Sequence, residues 1–291
     1  MRLPEQIAAA FPKRPAESHK YSVGVVTVVG GSARYNHAPV IAGLGARAGG
    51  AGLVQLVVPD ASRIAAGALV PEATFTKLTP ACVPPRADVS VIGMGLGSTP
   101  NAEMLVSRLL SGSAGRFVLD ADALTVLANW YAQKPQALPV TEGQTIVLTP
   151  HAGEAARLLA CKSEDIQRDR MSAVRQIVER YHAVVVLKGP RTLVAAPGRA
   201  DVFVCEAGNP FMAMGGMGDL LAGVLAARWA YLAKGGTIAG ERACAFMAAA
   251  GAVWLHAAAS DSIVRAEPPG DPSIVSTAQA VASLRVRLER N

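Results

Sequence analysis

A chain of 291 residues, 51% hydrophobic and 17% charged, can bury a large core, and α/β folds of this length often form one domain, so residues 1–291 read as a single domain with 1–17 as a lead segment. The formal charge of +6 comes from scattered basic residues with no Lys or Arg run interleaved with aromatics. That argues against nucleic acid as a partner and fits an anionic small molecule or plain surface solubility. Cys82, Cys161, Cys205 and Cys244 have neither CxxC nor metal-like spacing and read as buried thiols of a reducing cytoplasm; Pro4, Glu5 and Pro12 break any signal-peptide core.

Short, mostly β-branched runs bounded by Gly, Pro, Asp or Lys predict strands over 23–29, 52–58, 89–92, 117–119, 145–148 and 183–187. Helical spacing between them predicts helices over 39–48, 101–110, 123–129, 153–159 and 170–180. Such alternation predicts parallel strands joined by right-handed crossovers, helices on both faces, and a ligand crevice at the carboxyl ends of the strands. After Leu187, segments 192–196 and 201–205 flank Pro197-Gly198-Arg199 and predict an antiparallel hairpin. Three helices, from Met217, Ile238 and Ser273, close the chain, with a loop over 265–272 and no internal repeat. The uncharged, alanine-rich stretch 243–260 carries His256 and reads as a packed core helix rather than a membrane span.

Polar clusters fall where these strands end. Gly93-Met94-Gly95-Leu96-Gly97 follows the strand at 89–92 and suits close backbone approach to a ligand, or a tight strand-to-helix turn. Asp120-Ala121-Asp122 follows 117–119, placing paired carboxylates where they could hold hydrated magnesium near phosphates, unless one of them caps a helix beginning at Ala123. In Thr149-Pro150-His151-Ala152-Gly153-Glu154, His151 and Glu154 stand three residues apart on one helical face. Lys188-Gly189-Pro190-Arg191-Thr192 offers a cation and a hydroxyl to a nucleotide phosphate. Gly208-Asn209-Pro210-Phe211-Met212-Ala213-Met214-Gly215-Gly216-Met217-Gly218-Asp219 runs into an apolar helix, whose bare N–H groups and dipole make an anion-binding nest beside the carboxylate of Asp219. A nest for phosphate next to a proton acceptor suits phosphoryl transfer to an alcohol; a glycine-rich loop with Asp219 as a helix-start acid is the structural alternative.

In this order the residues resemble the ribokinase-like superfamily and, within it, the ADP/ATP-dependent NAD(P)H-hydrate dehydratases. The resemblance rests on Ser18-His19-Lys20, Gly30-Gly31-Ser32, Arg47 through Val54, Gly95-Leu96-Gly97, Leu119-Asp120-Ala121-Asp122-Ala123-Leu124, Thr149-Pro150-His151, Leu187-Lys188-Gly189 and the glycine-rich nest, and spans about residues 18–260. It implies a three-layer αβα sandwich with a mostly parallel sheet and an antiparallel edge hairpin. It implies dehydration of the S epimer of NADH-hydrate or NADPH-hydrate, by phosphorylation of the ring hydroxyl and elimination of phosphate, with magnesium and with ADP or ATP as co-substrate.

Carried onto this chain, the resemblance makes Asp219 the catalytic base and gives the anion hole to Gly215, Gly216, Met217 and Gly218. Ala38, Gly95, Gly97, His151 and Asp219 match substrate-binding positions, and Lys188, Gly189, Pro190, Arg191, Thr192 and Gly218 match the nucleotide site. Asp120 and Glu154 are the candidate magnesium ligands. A cytoplasmic homo-oligomer is expected, without the epimerase domain fused in front of some relatives and working with a separate epimerase. The chain departs from the family at Met217, usually Thr or Ser, at Phe211 and Met214, where smaller residues are usual, at Tyr21, and at 255–261, which lacks a Gly-Asp pair. Because the Met217 backbone donor remains, the anion hole is expected to survive, and Met217→Thr to keep activity or raise it modestly. The same anion hole and base would also serve a kinase of a small alcohol or vitamin precursor, or a nucleotide-binding module without catalysis.

Overall fold

The computed structural model describes residues 2–112, 114–134 and 143–290, so the ends of the expected 1–291 domain, Met1 and Asn291, lie outside the described residues. Its strands are β1 (Val25–Val29), β2 (Leu53–Val58), β3 (Thr74–Lys77), β4 (Val89–Ile92), β5 (Gly115–Leu119), β6 (Gln144–Leu148), β7 (Val184–Leu187), β8 (Leu193–Ala195) and β9 (Phe203–Val204). Its helices are α1 (Lys20–Val23), α2 (Ala38–Gly49), α3 (Arg63–Leu69), α4 (Pro100–Leu110), α5 (Asp122–Gln133), α6 (Ala152–Leu159), α7 (Ser163–Arg168), α8 (Arg170–Tyr181), α9 (Met217–Gly235), α10 (Glu241–Val264) and α11 (Ile274–Arg290).

The nine strands of the described residues form one sheet in the order β3-β2-β1-β4-β5-β6-β7-β8-β9. Pairing is parallel from β3 through β7, and antiparallel from β7 to β8 and from β8 to β9. The order reverses between β1 and β4, the kind of switch point where open α/β sheets leave a crevice. Two apolar cores sandwich the sheet, one joining its face to α2, α9, α10 and α11, the other joining the opposite face to α4, α5, α6 and α8. This is the expected three-layer αβα sandwich with an antiparallel edge.

Three elements escape the sequence pattern. Thr74-Phe75-Thr76-Lys77 is an edge strand with one neighbour and largely exposed side chains, so it carries no apolar run; α3 and α7 are too short for a periodic signal. The strand expected from residue 23 starts at Val25, because residues 20–23 turn as a short helix capped by His19. The lead segment is built into the core: Ile7, Ala10 and Phe11 are buried, and a Cβ on Gly251 of α10 would collide with Ala10. Helix α10 is long and apolar enough to cross a membrane, yet 89% of its apolar window is buried inside the protein, in keeping with a core helix.

What positions the site is the contact between α2 and α9. A Cβ on Gly45 would run into the Leu220 carbonyl, one on Gly49 would lie 2.9 Å from Val224, and one on Gly223 would run into the Ala42 carbonyl. Ile41 against Gly216, Gly45 against Leu220 and Gly49 against Val224 advance together along both helices, so they run parallel, with both N-termini at the same end. Gly223→Val is expected to force the pair apart and destabilise the protein by about 1 to 3 kcal/mol, as overpacking usually does, read as a lower midpoint in urea at unchanged slope.

Candidate active site

The nest forms where the chain enters α9. Gly216 adopts φ +94 as N-cap, a left-handed conformation natural to glycine, and turns the chain so that successive N–H groups face outward. The N–H groups of Gly215, Gly216, Met217, Gly218 and Asp219 donate to no described residue; the first helical bond is from Leu220 N–H to the Gly216 carbonyl. The approach to the nest is locked by the far end of α10. Buried Asp261 accepts from the Gly208 N–H at 3.1 Å and from Asn209 Nδ2 at 2.9 Å, Ser260 Oγ accepts from Asn209 Nδ2 at 3.1 Å, and Asn209 Oδ1 accepts from the Phe211 N–H.

Directly against this nest stands Lys188. A Cβ on Gly218 would lie 3.3 Å from Lys188 Nζ and 3.9 Å from Asp120 Oδ2. The ammonium donates to Asp120 Oδ1 at 2.7 Å and lies 3.8 Å from Glu154 Oε2. With only 17% of its side chain exposed, it is no solvated surface lysine. Burial works to lower its pKa, but Asp120, Glu154 and Asp219 together outweigh burial and hold it above the ordinary lysine value. The carboxyls respond in the opposite sense. Desolvation first, and then the Asp120 charge, push half-buried Asp219 up to about 7 against the pull of Lys188. Glu154 is likewise raised, mainly by burial. With one cation among three carboxyls, the pKa of Asp219 is held near neutral pH, and no described residue hydrogen-bonds to its carboxylate.

The remaining strand-end loops close around this centre. The Lys188 N–H donates to the Pro150 carbonyl, and Arg170 Nη2 donates to the carbonyl of Leu187 at 3.0 Å and weakly to that of Lys188, fixing the lysine backbone. Gly189, Pro190, Arg191 and Thr192 form a turn closed by the Thr192 hydroxyl donating to the Gly189 carbonyl, with Arg191 ion-paired to Glu206 in solvent. His151 caps α6: its Nδ1 accepts from the Gly153 and Glu154 N–H groups, so the neutral ring carries its hydrogen on Nε2, 3.4 Å from Glu154 Oε1. A Cβ on Gly95 would meet Tyr35 at 2.7 Å and Ala38 at 3.5 Å, placing the start of α2 beside the loop after β4.

Several expectations are corrected here. Asp120 and Asp122 do not act as a pair: Ala121, at φ 50, separates them, Asp122 Oδ2 turns to accept from the Gly97 N–H at 2.7 Å, and Asp120 faces Lys188. Nor does either carboxylate cap a helix at Ala123, since α5 starts at Asp122 without a side-chain cap. The side chain of Met217 is buried: it is 5% exposed and belongs to the core that joins α2, α9 and α10. Phe211 and Met214 are exposed, at 59% and 41%. Cys161 is also exposed, so only three of the four thiols are buried.

Among the described residues no group of three or more His, Cys, Asp and Glu could hold a metal ion. Asp120 and Glu154 flank Lys188 as a pair of hard oxygen donors, which fits a hydrated magnesium ion held largely by water and substrate phosphates rather than by a protein cage.

Against known proteins, residues 26–276 match the Carb_kinase family, described as NAD(P)H-hydrate dehydratase. The chain belongs to the NAD(P)H-hydrate dehydratase family. The ADP-dependent (S)-NAD(P)H-hydrate dehydratase of Neisseria meningitidis is 36% identical over 87% of this chain and 81% of its own length. The bifunctional NAD(P)H-hydrate repair enzyme Nnr of Gloeobacter violaceus is 39% identical over 89% of this chain and 49% of its own length. The chain thus spans about half the length of the first bifunctional relatives it matches. Among solved structures, the ADP/ATP-dependent NAD(P)H-hydrate dehydratase of Bacillus subtilis, co-crystallised with ATP/Mg2+, superimposes with a TM-score of 0.82 at 25% identity, covering 98% of this chain and 97% of that one. A ribokinase-like superfamily protein of Enterococcus faecalis gives a TM-score of 0.80 at 25% identity, covering 99% of this chain and 96% of that one.

Not every motif that carries the dehydratase family resemblance lies at the crevice. A Cβ on Gly52 would run into the Lys20 carbonyl, so Ser18-His19-Lys20 meets the 47–54 segment at the amino ends of β1 and β2, the opposite edge of the sheet. Sequence reasoning missed Ser260 and Asp261 as anchors of the nest loop, and Arg170 as the residue that holds Lys188. An acid inside an apolar helix end was the available signal for Asp261.

Proposed function

We propose that this protein restores NADH or NADPH from the S epimer of its hydrate, consuming ADP or ATP. The observation that carries the reading is Asp219: a half-buried carboxylate that no described residue hydrogen-bonds, raised to about 7, on the first turn of a helix whose first N–H groups donate to no described residue. Such a carboxylate can accept a proton near neutral pH, and such N–H groups can stabilise a phosphoryl group in flight.

In this reading Asp219 takes the proton of the ring hydroxyl as that oxygen bonds the terminal phosphorus and the nucleotide leaves one phosphoryl shorter. The C–O bond then breaks, phosphate departs as the ring nitrogen's lone pair forms a C=N bond, and loss of a proton from the adjacent carbon restores the dihydropyridine. Gly215, Gly216, Met217 and Gly218 supply the backbone donors. Lys188 and the Gly189 to Thr192 turn, with Gly218, hold the nucleotide; Ala38, Gly95, Gly97 and His151 border the dinucleotide. Magnesium, when bound near Asp120 and Glu154, would offset phosphate charge. A separate NAD(P)H-hydrate epimerase supplying the S epimer, a cytoplasmic setting, assembly as a homo-oligomer, and one domain over 1–291 belong to the same proposal.

The test is to incubate the purified protein with hydrated NADH and either nucleotide, following the absorbance of the reduced ring and released phosphate together. Equal, nucleotide-dependent gains in both are expected. Phosphate retained on an organic product would indicate a small-alcohol kinase, and tight nucleotide binding without turnover a non-catalytic module. In the same assay Met217→Thr should keep turnover within a few-fold, because its side chain lies in the core, yet cost about 2 to 4 kcal/mol of stability through the smaller side chain.

A further inference from the structure

A cleft of about 330 Å³ opens between the lead segment and α11, lined by Lys13, Arg14, Arg285, Glu289 and Arg290. It lies at the C-terminal end of α2, whose 12 residues span about 18 Å from the Ala38 end near the candidate active site. Three arginines converge there on the last carbonyls of α2: Arg285 Nε donates to Ala48 at 3.0 Å, Arg228 Nη1 to Gly49 at 3.5 Å, and Arg14 Nη2 to Gly50 at 3.1 Å.

A single carboxylate serves all three guanidinium groups. Glu289 accepts from Arg228 Nη1 and, at 2.6 Å, from Arg285 Nη1, and lies 3.4 Å from Arg14 Nε. The C-termini of α2 and α11 each add roughly half a negative charge, so the three guanidinium charges meet about two negative ones. Lys13 and Arg290 add two more exposed cations, neither of which forms an ion pair with a described residue. Arg285 Nη2 donates no hydrogen bond to a described residue; Arg228, fully buried behind the cleft lining with its guanidinium over the Phe11 and Tyr231 rings, has no described hydrogen-bond partner for its Nε. Burial lowers the pKa of Arg228 and Arg285 against the pull of Glu289.

We propose that this cleft is a second anion site, separate from the nest at Asp219, and that it takes a compact polyanion of linked phosphate groups. The cleft is larger than one phosphate needs, its donors are charged and many, and no aromatic side chain lines it to stack a nucleobase. A ligand there would tie the lead segment to α11.

The experiment titrates inorganic tripolyphosphate by calorimetry, at ionic strength held constant with sodium chloride, into wild type and the double variant Lys13→Ala, Arg290→Ala. Both substituted residues are exposed and remote from the nest, so the variant should keep its fold and nucleotide-dependent turnover. The expected result is saturable binding to wild type weakened at least about fivefold in the variant, with a matching loss of the ligand-induced rise in melting temperature. No binding to wild type, or a smaller loss of affinity in the variant, would overturn the proposal; the latter would assign the polyanion to the nest beside Lys188.

Discussion

Asp219→Asn is expected to lower turnover by on the order of 100-fold or more while leaving nucleotide affinity within a few-fold, because it removes the proton acceptor but none of the backbone donors of the nest. The same substitution should raise stability at alkaline pH. The folded-state pKa of Asp219 lies near 7, above the ordinary 3.8. A carboxyl shifted upward contributes stability fully present below about pH 4 and lost as pH rises through 7, since ionising it is costly in a largely desolvated position beside Asp120 and Glu154. Wild type should therefore lose thermal stability between pH 4 and 8 by a margin that the Asn variant does not share. Turnover should follow the opposite course, with kcat/KM of wild type rising through an acid limb near pH 7 as the base ionises. Melting curves and kcat/KM for both proteins at pH 5, 7 and 8 check both parts; near-normal activity of Asp219→Asn would remove the phosphorylation mechanism.

Lys188→Met should be the most destabilising single change at the site. It strips the cation from Asp120, which is 2% exposed, and from buried Glu154, and breaking a buried pair from one side typically costs about 3 to 5 kcal/mol. It should also weaken ADP or ATP binding by about 1 to 3 kcal/mol, the value of a charge-assisted contact to phosphate. A third consequence separates this residue from a merely structural one: without the pull of Lys188, the acid limb assigned to Asp219 moves to higher pH. Denaturant midpoints, calorimetry with nucleotide and a pH–rate profile report the three effects independently. An unmoved acid limb would mean that Lys188 and Asp219 are not electrostatically coupled. Pairing the change with Asp120→Asn should recover part of the lost stability, since the stranded charge is then removed as well.

The parallel core strands were readable because β1, β2 and β4 to β7 are buried apolar runs, and the polar clusters because they punctuate those runs. Composition carried no signal for β3, whose polar residues pair only with β2, and α7 is too brief to show a period. Spacing placed Asp120, Glu154, Lys188 and Asp219 at the ends of successive elements, but not the choice of partner. That Lys188 selects Asp120, while Asp122 turns away to Gly97, follows from the backbone at Ala121 and from distances between strands that no linear pattern encodes. Met217 shows the converse. Motif comparison marks it as a departure at the site, yet its side chain belongs to the core, because a residue in a nest presents its N–H to the ligand and its Cβ elsewhere.

The interlocked glycines of α2 and α9 bear on how the site can move. Backbones held at contact distance over about two turns leave little room for one helix to slide or rotate past the other, so the pair is expected to move as one stiff unit. Donors mounted on its tip are aimed before any phosphate arrives, and none of the binding energy is diverted into reorienting them. Whatever adjustment accompanies substrate entry and product departure is thereby left to the segments that flank the tip, which carry exposed Tyr35 on one side and exposed Phe211 and Met214 on the other.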